Sequence, residues 1–172
     1  MVRTLSPTSD EHLPLHQGPD AHVLIIESPY YQDVTDELAK GALAVLEANG
    51  VGFDRIAVTG ALEIPQALGQ AVAAGLFGGP GKSARYTGVI VLGCVIRGET
   101  SHYDIVCNNA NHWLMEVAIR NGIPLGNGIL TVDTEAQALA RARGGENGKG
   151  GDAARACLSL IELAHAFEGQ SA

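Results

Sequence analysis

The chain has 172 residues, 46% of them apolar, which suits one compact domain with a substantial core. Its 11 Lys and Arg face 19 Asp and Glu, a formal net charge of −8. That balance excludes a nucleic-acid backbone as partner, because phosphate contacts there need clustered cations, but it leaves room for a small phosphorylated ligand held by one or two of them.

Residues 1–21 are polar and carry Pro7, Pro14 and Pro19; they read as a loose N-terminal arm before a single domain over 22–172. The arm has no apolar centre of the kind a secretory signal needs, and no apolar run reaches the roughly 18 residues of a membrane span. No membrane association and a cytoplasmic location are therefore expected. The first strand is Val23–Ile26, a continuous apolar run of the parallel-sheet type. A helix is expected from Gln32 to Asn49, with Val34, Leu38, Ala42, Val45 and Leu46 at helical spacing and Asn49-Gly50 ending it. A second strand runs near Phe53–Thr59. Gly60–Pro65 then turns into a helix expected to bury Ile64, Leu68, Val72 and Leu76. A Gly- and Lys-rich loop, 78–87, precedes the third strand, Gly88–Val95.

Arg97–Ser101 leads into a long helix, His102 to about Asn121, whose inner face should hold Val106, Ala110, Trp113, Leu114, Val117 and Ala118. A fourth strand covers about Leu125–Val132, and a short helix follows Asp133-Thr134 and ends near Arg143. The Gly-rich run 144–151 reads as a hinge. The last helix should bury Ala153, Ala154, Cys157, Ile161, Ala164 and Phe167. Strands alternating with helices imply an α/β fold of three α/β/α layers around a four-stranded parallel sheet. Ligands of such sheets bind beyond the carboxyl ends of the strands, which selects the loops 27–31, 60–63 and 97–101.

Several motifs are quickly set aside. Gly81-Lys82-Ser83 lacks the first glycine of a phosphate loop, since Leu76 stands there, and Gly148-Lys149 has Arg143 at that position. No GxGxxG follows the first strand. Cys94, Cys107 and Cys157 form no CxxC pair and lie in apolar stretches, so they read as small buried thiols. The six histidines form no HExxH-type motif, and no metal is expected.

The segment Gly93–His102 is the most informative. A buried strand ends abruptly in charged and hydroxyl residues, and a helix begins with Thr100 or Ser101 as its cap. Free N–H groups at a helix start attract anions, Gly98 lets the backbone approach a ligand, and His102 in the first turn can take and return a proton near pH 7. The same pattern also fits an ordinary capped helix with an exposed histidine. Glu63 is either a first-turn helix charge or an acceptor for a polyol or amine. Tyr30 and Tyr31 can anchor a loop or stack on a heterocycle. Arg141, late in a helix, suits the helix dipole in any case.

Together and in this order, these residues resemble 6,7-dimethyl-8-ribityllumazine synthases, from Val23 to about Phe167. The most specific piece is Leu92–Asp104 with Val106-Cys107-Asn108. Gly60–Pro65 is a second, and a third is Gly128–Thr131 with Glu135, Gln137-Ala138 and Arg141-Ala142. The resemblance implies a flavodoxin-like fold and a transferase of riboflavin biosynthesis. Its reaction condenses 5-amino-6-(D-ribitylamino)uracil with 3,4-dihydroxy-2-butanone 4-phosphate, releasing phosphate and water without cofactor or metal. It implies that His102 moves protons and that Arg141 grips the phosphate together with Gly98, Glu99 and Thr100. Val95 and Ile96 would meet the pyrimidine, Ala61, Leu62 and Glu63 the ribityl chain, and Lys149 and Asp152 would be polar neighbours. Tyr30 stands where family members usually place Phe or Trp against the pyrimidine, and Pro29 where a basic residue is common. Asn127 replaces a common aromatic.

The resemblance also implies a homopentamer with sites between subunits, so that Asn127 and Arg141 face an adjacent subunit's His102. Some members build 60-subunit shells, but Arg143–Gly148 does not match the shell-forming pattern, which points to a free pentamer. Two other readings fit the scaffold: a non-catalytic flavin or lumazine binder, and a shell-forming structural paralogue.

Overall fold

The computed structural model describes residues 21–79, 81 and 83–169; the arm expected over residues 1–21 lies, apart from Ala21, outside them. Four strands, β1 (His22–Glu27), β2 (Gly52–Ala57), β3 (Gly88–Ile96) and β4 (Leu125–Val132), pair in the order β2-β1-β3-β4, every pair parallel. Among the described residues five helices connect and cover them: α1 (Gln32–Ala48), α2 (Glu63–Ala73), α3 (His102–Asn121), α4 (Glu135–Ala142) and α5 (Lys149–Gly169), with a 3-10 turn at Gly145–Asn147. The expected three layers are present.

The continuous apolar runs follow from burial on both faces of the sheet. Val23 and Ile25 of β1 and Ile90 and Leu92 of β3 point toward α1, α4 and α5, where Leu38, Leu46 and Leu158 meet them. Their alternates Leu24, Ile26, Val89 and Val91 point toward α2 and α3, against Ile64, Leu68 and Leu114. Strand order reverses at β1 and β3. Their carboxyl ends therefore diverge and leave a crevice between the loops that follow them.

Four expectations need correction. The second strand stops at Ala57, short of Thr59, and lies at the sheet edge with its last residues exposed. Leu76 is not on α2: Gly75, at φ 77°, turns the chain after Ala74, and the Leu76 and Gly75 N–H groups donate to the Ala71 and Val72 carbonyls, a Schellman ending. Trp113 is 50% exposed and Phe167 59% exposed, while Val117 and Ala164 are half-buried. The inner stripe of α3 reduces to Val106, Ala110, Leu114 and Ala118, spaced four apart, and α5 buries only its first half, through Ile161, against the sheet.

The fourth correction concerns residues 144–151, of which Gly144 and Gly145, at φ 111° and 58°, turn the chain while the later glycines do not. Gly150 and Gly151 belong to the first turn of α5 and are buried against α1 and the 3-10 turn. A Cβ on Gly150 would overlap the Leu38 carbonyl, and one on Gly151 the Glu146 carbonyl. The glycines permit a close approach of two backbones. Gly150→Ala is thus expected to destabilise the fold by about 3 kcal/mol, because overpacking against backbone outweighs the ~1 kcal/mol that alanine gains in a helix. Gly69→Ala, in α2 with open space around the added methyl, should raise the thermal midpoint instead. Paired melting curves check both signs.

At the amino end of the sheet, Asp54 accepts hydrogen bonds from the Tyr86 hydroxyl (2.8 Å) and Arg85 Nη2 (2.9 Å), and His22 Nε2 lies 3.2 Å away. The Tyr86 bond, then Arg85, hold the Asp54 carboxyl below its ordinary value. A depressed folded-state pKa stabilises fully above the unfolded value and is lost as pH falls through the folded one. The thermal midpoint should drop on acidification below about pH 4, and Asp54→Asn should flatten part of that drop.

Candidate active site

The crevice beyond β1 and β3 is a cleft of about 400 Å³, lined by Tyr30, Tyr31, Gly60, Ala61, Leu62, Glu63, Cys94, Val95, Ile96, Gly98, Thr100, His102, Tyr103 and Val106. That volume suits a small-molecule ligand. Each wall has its own origin. The chain leaving β1 is pinned by Ser28, whose N–H donates to the Leu92 carbonyl (2.9 Å) and whose carbonyl accepts from the Thr35 hydroxyl (3.0 Å). This fixes Tyr30 and Tyr31, their rings edge-on at 5.1 Å. Tyr30 is 73% exposed and stands at the rim with a free face, whereas Tyr31 is half-buried and burial pushes its phenol pKa up.

The β2–α2 turn supplies the second wall. Ala61 is buried, Leu62 and Glu63 are half-buried, and the Glu63 carboxylate folds back over Gly60 so closely that a Cβ there would lie 2.8 Å from Oε2. The third wall is the end of β3. Val95 and Ile96 emerge half-buried after the fully apolar stretch of the strand, and the chain then runs exposed through Gly98–Ser101 into α3. Thr100, not Ser101, caps the helix: its Oγ1 accepts the His102 N–H at 3.3 Å, while Ser101 makes no side-chain cap. No atom would crowd a side chain at Gly98, so the loop backbone lies open to a ligand. His102 is exposed in the first turn, beside a helix start that favours anions.

Burial pushes the Cys94 thiol up to about 11 and Cys157 up to about 12, so both remain protonated at neutral pH and serve as packing. Cys107, also expected to be buried, is half-buried. Among the described residues no group of three or more His, Cys, Asp or Glu could hold a metal ion.

Of the residues implied by the resemblance, the cleft brings together Tyr30, Ala61, Leu62, Glu63, Val95, Ile96, Gly98, Thr100 and His102. Glu99 is exposed on the same loop and is not among the residues that line the cleft. Four others lie elsewhere. Asn127 is exposed on the early part of β4, where its Nδ2 donates to Asn111 Oδ1 (2.7 Å) and its Oδ1 accepts the Ile129 N–H (2.9 Å). Arg141 is exposed at the end of α4, with Nη1 donating to the Gln137 carbonyl (3.1 Å). Lys149 and Asp152 pair at 2.8 Å in the first turn of α5, where Asp152 also binds Arg155 (2.8 Å). Those two bonds, Lys149 first, hold the Asp152 carboxyl below its ordinary value.

Sequence reasoning missed Tyr103, Val106 and Cys94 as lining residues and gave Arg97, on the selected loop 97–101, no role. The period-four stripe of α3 already placed Val106 inside, and its first turn carries Tyr103 to the same end.

The sequence profile described as 6,7-dimethyl-8-ribityllumazine synthase matches residues 20–165. The chain belongs to the 6,7-dimethyl-8-ribityllumazine synthase family. A relative bearing that name from Azorhizobium caulinodans is 52% identical over 143 residues, 83% of this chain and 86% of its own length. One from Bartonella bacilliformis is 46% identical over 153 residues, covering 89% and 95%. 6,7-Dimethyl-8-ribityllumazine synthase 1 of Rhizobium meliloti is 49% identical over 142 residues, covering 83% and 90%. The matched span runs from the first strand into α5, so the loops that form the cleft all fall inside the lumazine synthase likeness.

Proposed function

We propose that this cleft runs the family's reaction, joining the 5-amino group of 5-amino-6-(D-ribitylamino)uracil to the ketone of 3,4-dihydroxy-2-butanone 4-phosphate. The chain is a transferase of riboflavin biosynthesis that makes 6,7-dimethyl-8-ribityllumazine. The observation that carries the site assignment is the junction of β3 and α3. An open Gly98 backbone, the Thr100 hydroxyl and His102 stand at one helix start, beside a wall of Val95 and Ile96.

In this reading the helix start and the Gly98–Thr100 segment receive the phosphate, drawn by unpaired N–H groups and the helix dipole. The uracil lies on Tyr30 with its edge toward the Val95–Ile96 backbone, and the ribityl chain runs along Ala61, Leu62 and Glu63. Amine and ketone then meet beside His102. The imidazole returns a proton to the hydroxyl that leaves as water when the imine forms, and takes one from carbon as the phosphate departs; the ribityl-bearing nitrogen then attacks the carbonyl that this unmasks, and loss of a second water closes the ring. Holding the two reactants together supplies most of the acceleration, and the proton shuttle adds to it. The reading calls for no cofactor or metal.

The finer assignments are a homopentamer, free or within a 60-subunit shell, and a cytoplasmic location. Two features support a site shared between subunits. Asn127 lies four residues before Thr131, roughly 13 Å down the strand from the cleft end of the sheet, so within one chain it cannot line the cleft. And α3 exposes Ile105, Trp113, Met115 and Ile119, apolar surface that a neighbouring subunit would bury. Asn127, Arg141, Lys149 and Asp152 would then serve the adjacent subunit's cleft. Among the described residues no helix is long and apolar enough to cross a membrane, which agrees with the location.

Mixing the protein with both substrates tests the reading. Lumazine absorbance should rise well above the uncatalysed rate. A rate equal to the blank with retained riboflavin binding would favour a non-catalytic binder, and large particles with neither property would favour a structural shell.

A further inference from the structure

Arg97 borders the cleft, and the reaction as described gives it no task. It immediately precedes loop 98–101, and its N–H donates to the Val132 carbonyl at 2.9 Å. Its guanidinium crosses to the far side of that loop. Nη1 lies 3.5 Å from Asp104 Oδ1, in the first turn of α3, and the group sits over the Tyr103 ring, 4.0 Å from its centre. In the other direction Nε donates to Asp133 Oδ1 at 3.1 Å, at the junction of β4 and α4. The contacts continue along α4. The Asp133 N–H donates to Gln137 Oε1 (2.9 Å), and Arg141 Nη1 donates to the Gln137 carbonyl (3.1 Å).

We infer that Arg97 is a positioning residue for the phosphate end of the site. It joins the two stems of loop 98–101 in its own cleft and, through Asp133, sets the bearing of the helix whose Arg141 serves the adjacent subunit's cleft. The inference rests on the functional reading above, since it needs a phosphate at this loop. An isolated surface ion pair would matter little. Here one planar fork is held by two carboxylates and a ring face, a set of contacts that a lysine ammonium cannot reproduce. The same contacts keep Arg97 from acting as the phosphate ligand. Its charge is already met by Asp133 and Asp104, and the Asp133 hydrogen bond pushes its pKa further up. Arg141, by contrast, is exposed, and its Nη1 donates to a neutral acceptor, the Gln137 carbonyl.

The test uses full-length Arg97→Gln, Arg97→Lys and Asp133→Asn proteins, with steady-state kinetics for each substrate, inhibition by orthophosphate and thermal melting. Arg97→Gln should raise KM for the butanone phosphate and weaken orthophosphate inhibition together, by roughly tenfold, as expected for misplacement of a pre-set binding loop. KM for the pyrimidine should stay within about twofold, because the Val95–Ile96 wall is not held by this group. Arg97→Lys should recover only part of the loss. Asp133→Asn should weaken orthophosphate in the same direction as Arg97→Gln. Unchanged orthophosphate affinity in Arg97→Gln would overturn the inference. So would a parallel rise of both KM values with a lowered melting point, the mark of a merely structural role. Tighter orthophosphate binding in Asp133→Asn would make Arg97 a direct ligand that Asp133 restrains, and would also overturn it. If Arg97→Gln does not fold, the other two variants decide. If the unaltered protein forms no lumazine, the functional reading falls, and calorimetric orthophosphate affinities still decide the part played by Arg97.

Discussion

His102→Ala is expected to slow lumazine formation by about 10²-fold, near the lower end of what a positioned proton shuttle contributes. The loss should fall on kcat, with both KM values nearly unchanged, because His102 lines the cleft at an exposed position and is not assigned the hold on either substrate. The fold should be indifferent. Removing the imidazole takes away no core contact, and the His102 N–H bond to Thr100 belongs to the backbone. His102→Gln, which keeps a hydrogen-bonding group but cannot shuttle a proton, should be about as slow as the alanine variant. Steady-state rates beside melting curves check this. A rate within about twofold of the unaltered protein would remove His102 from the chemistry.

Arg141→Ala should show the complementary pattern. A guanidinium on a phosphate makes charge-assisted hydrogen bonds of about 1.5–3 kcal/mol, so KM for the butanone phosphate should rise roughly 10- to 100-fold while KM for the pyrimidine holds. Arg141→Lys should restore charge but not the two-pronged grip and should fall between the two. Stability should hardly change, because Arg141 is exposed and its bond to the Gln137 carbonyl stays on its own helix. Equal losses toward both substrates would point to a displaced helix α4 and not to a lost phosphate contact.

The sequence made the scaffold legible where one physical signal dominated. β4 and α3 have the ends expected of them, Leu125–Val132 and His102–Asn121. In the first case an apolar run stops at Asp133. In the second, the exposed Arg97–Ser101 segment and Gly122, left-handed at φ 62°, mark the helix limits. The three loops at the sheet's carboxyl end followed from strands alternating with helices, and residues of each line the cleft.

Legibility failed where one pattern serves two kinds of burial. Trp113 has the spacing of an inner residue but points outward, and so does Phe167, beyond the reach of the sheet. Periodicity records that a face is apolar, not whether the chain itself or another subunit covers it. Within 144–151 glycine serves both uses: Gly144 and Gly145 bend the chain, whereas Gly150 and Gly151 permit close contact, which only the Leu38 and Glu146 carbonyls reveal. Arg141 and Lys149 have ordinary helix-end explanations within one chain, so their proposed roles came from resemblance alone. The sequence places Arg97 on a cleft loop but gives it no role, because its partners, Asp104 and Asp133, are 7 and 36 positions away.

In the proposed site His102 comes from one subunit and Arg141 from its neighbour. The direct measurement is complementation: His102→Ala and Arg141→Ala proteins are purified separately, dissociated, mixed in equal amounts and reassembled. Random mixing in a ring leaves roughly a quarter of the sites with both residues intact. Activity at low butanone phosphate should therefore climb far above that of either variant reassembled alone, toward roughly a quarter of the unaltered rate. Mixed assemblies no more active than the average of the two parents would contradict the shared site.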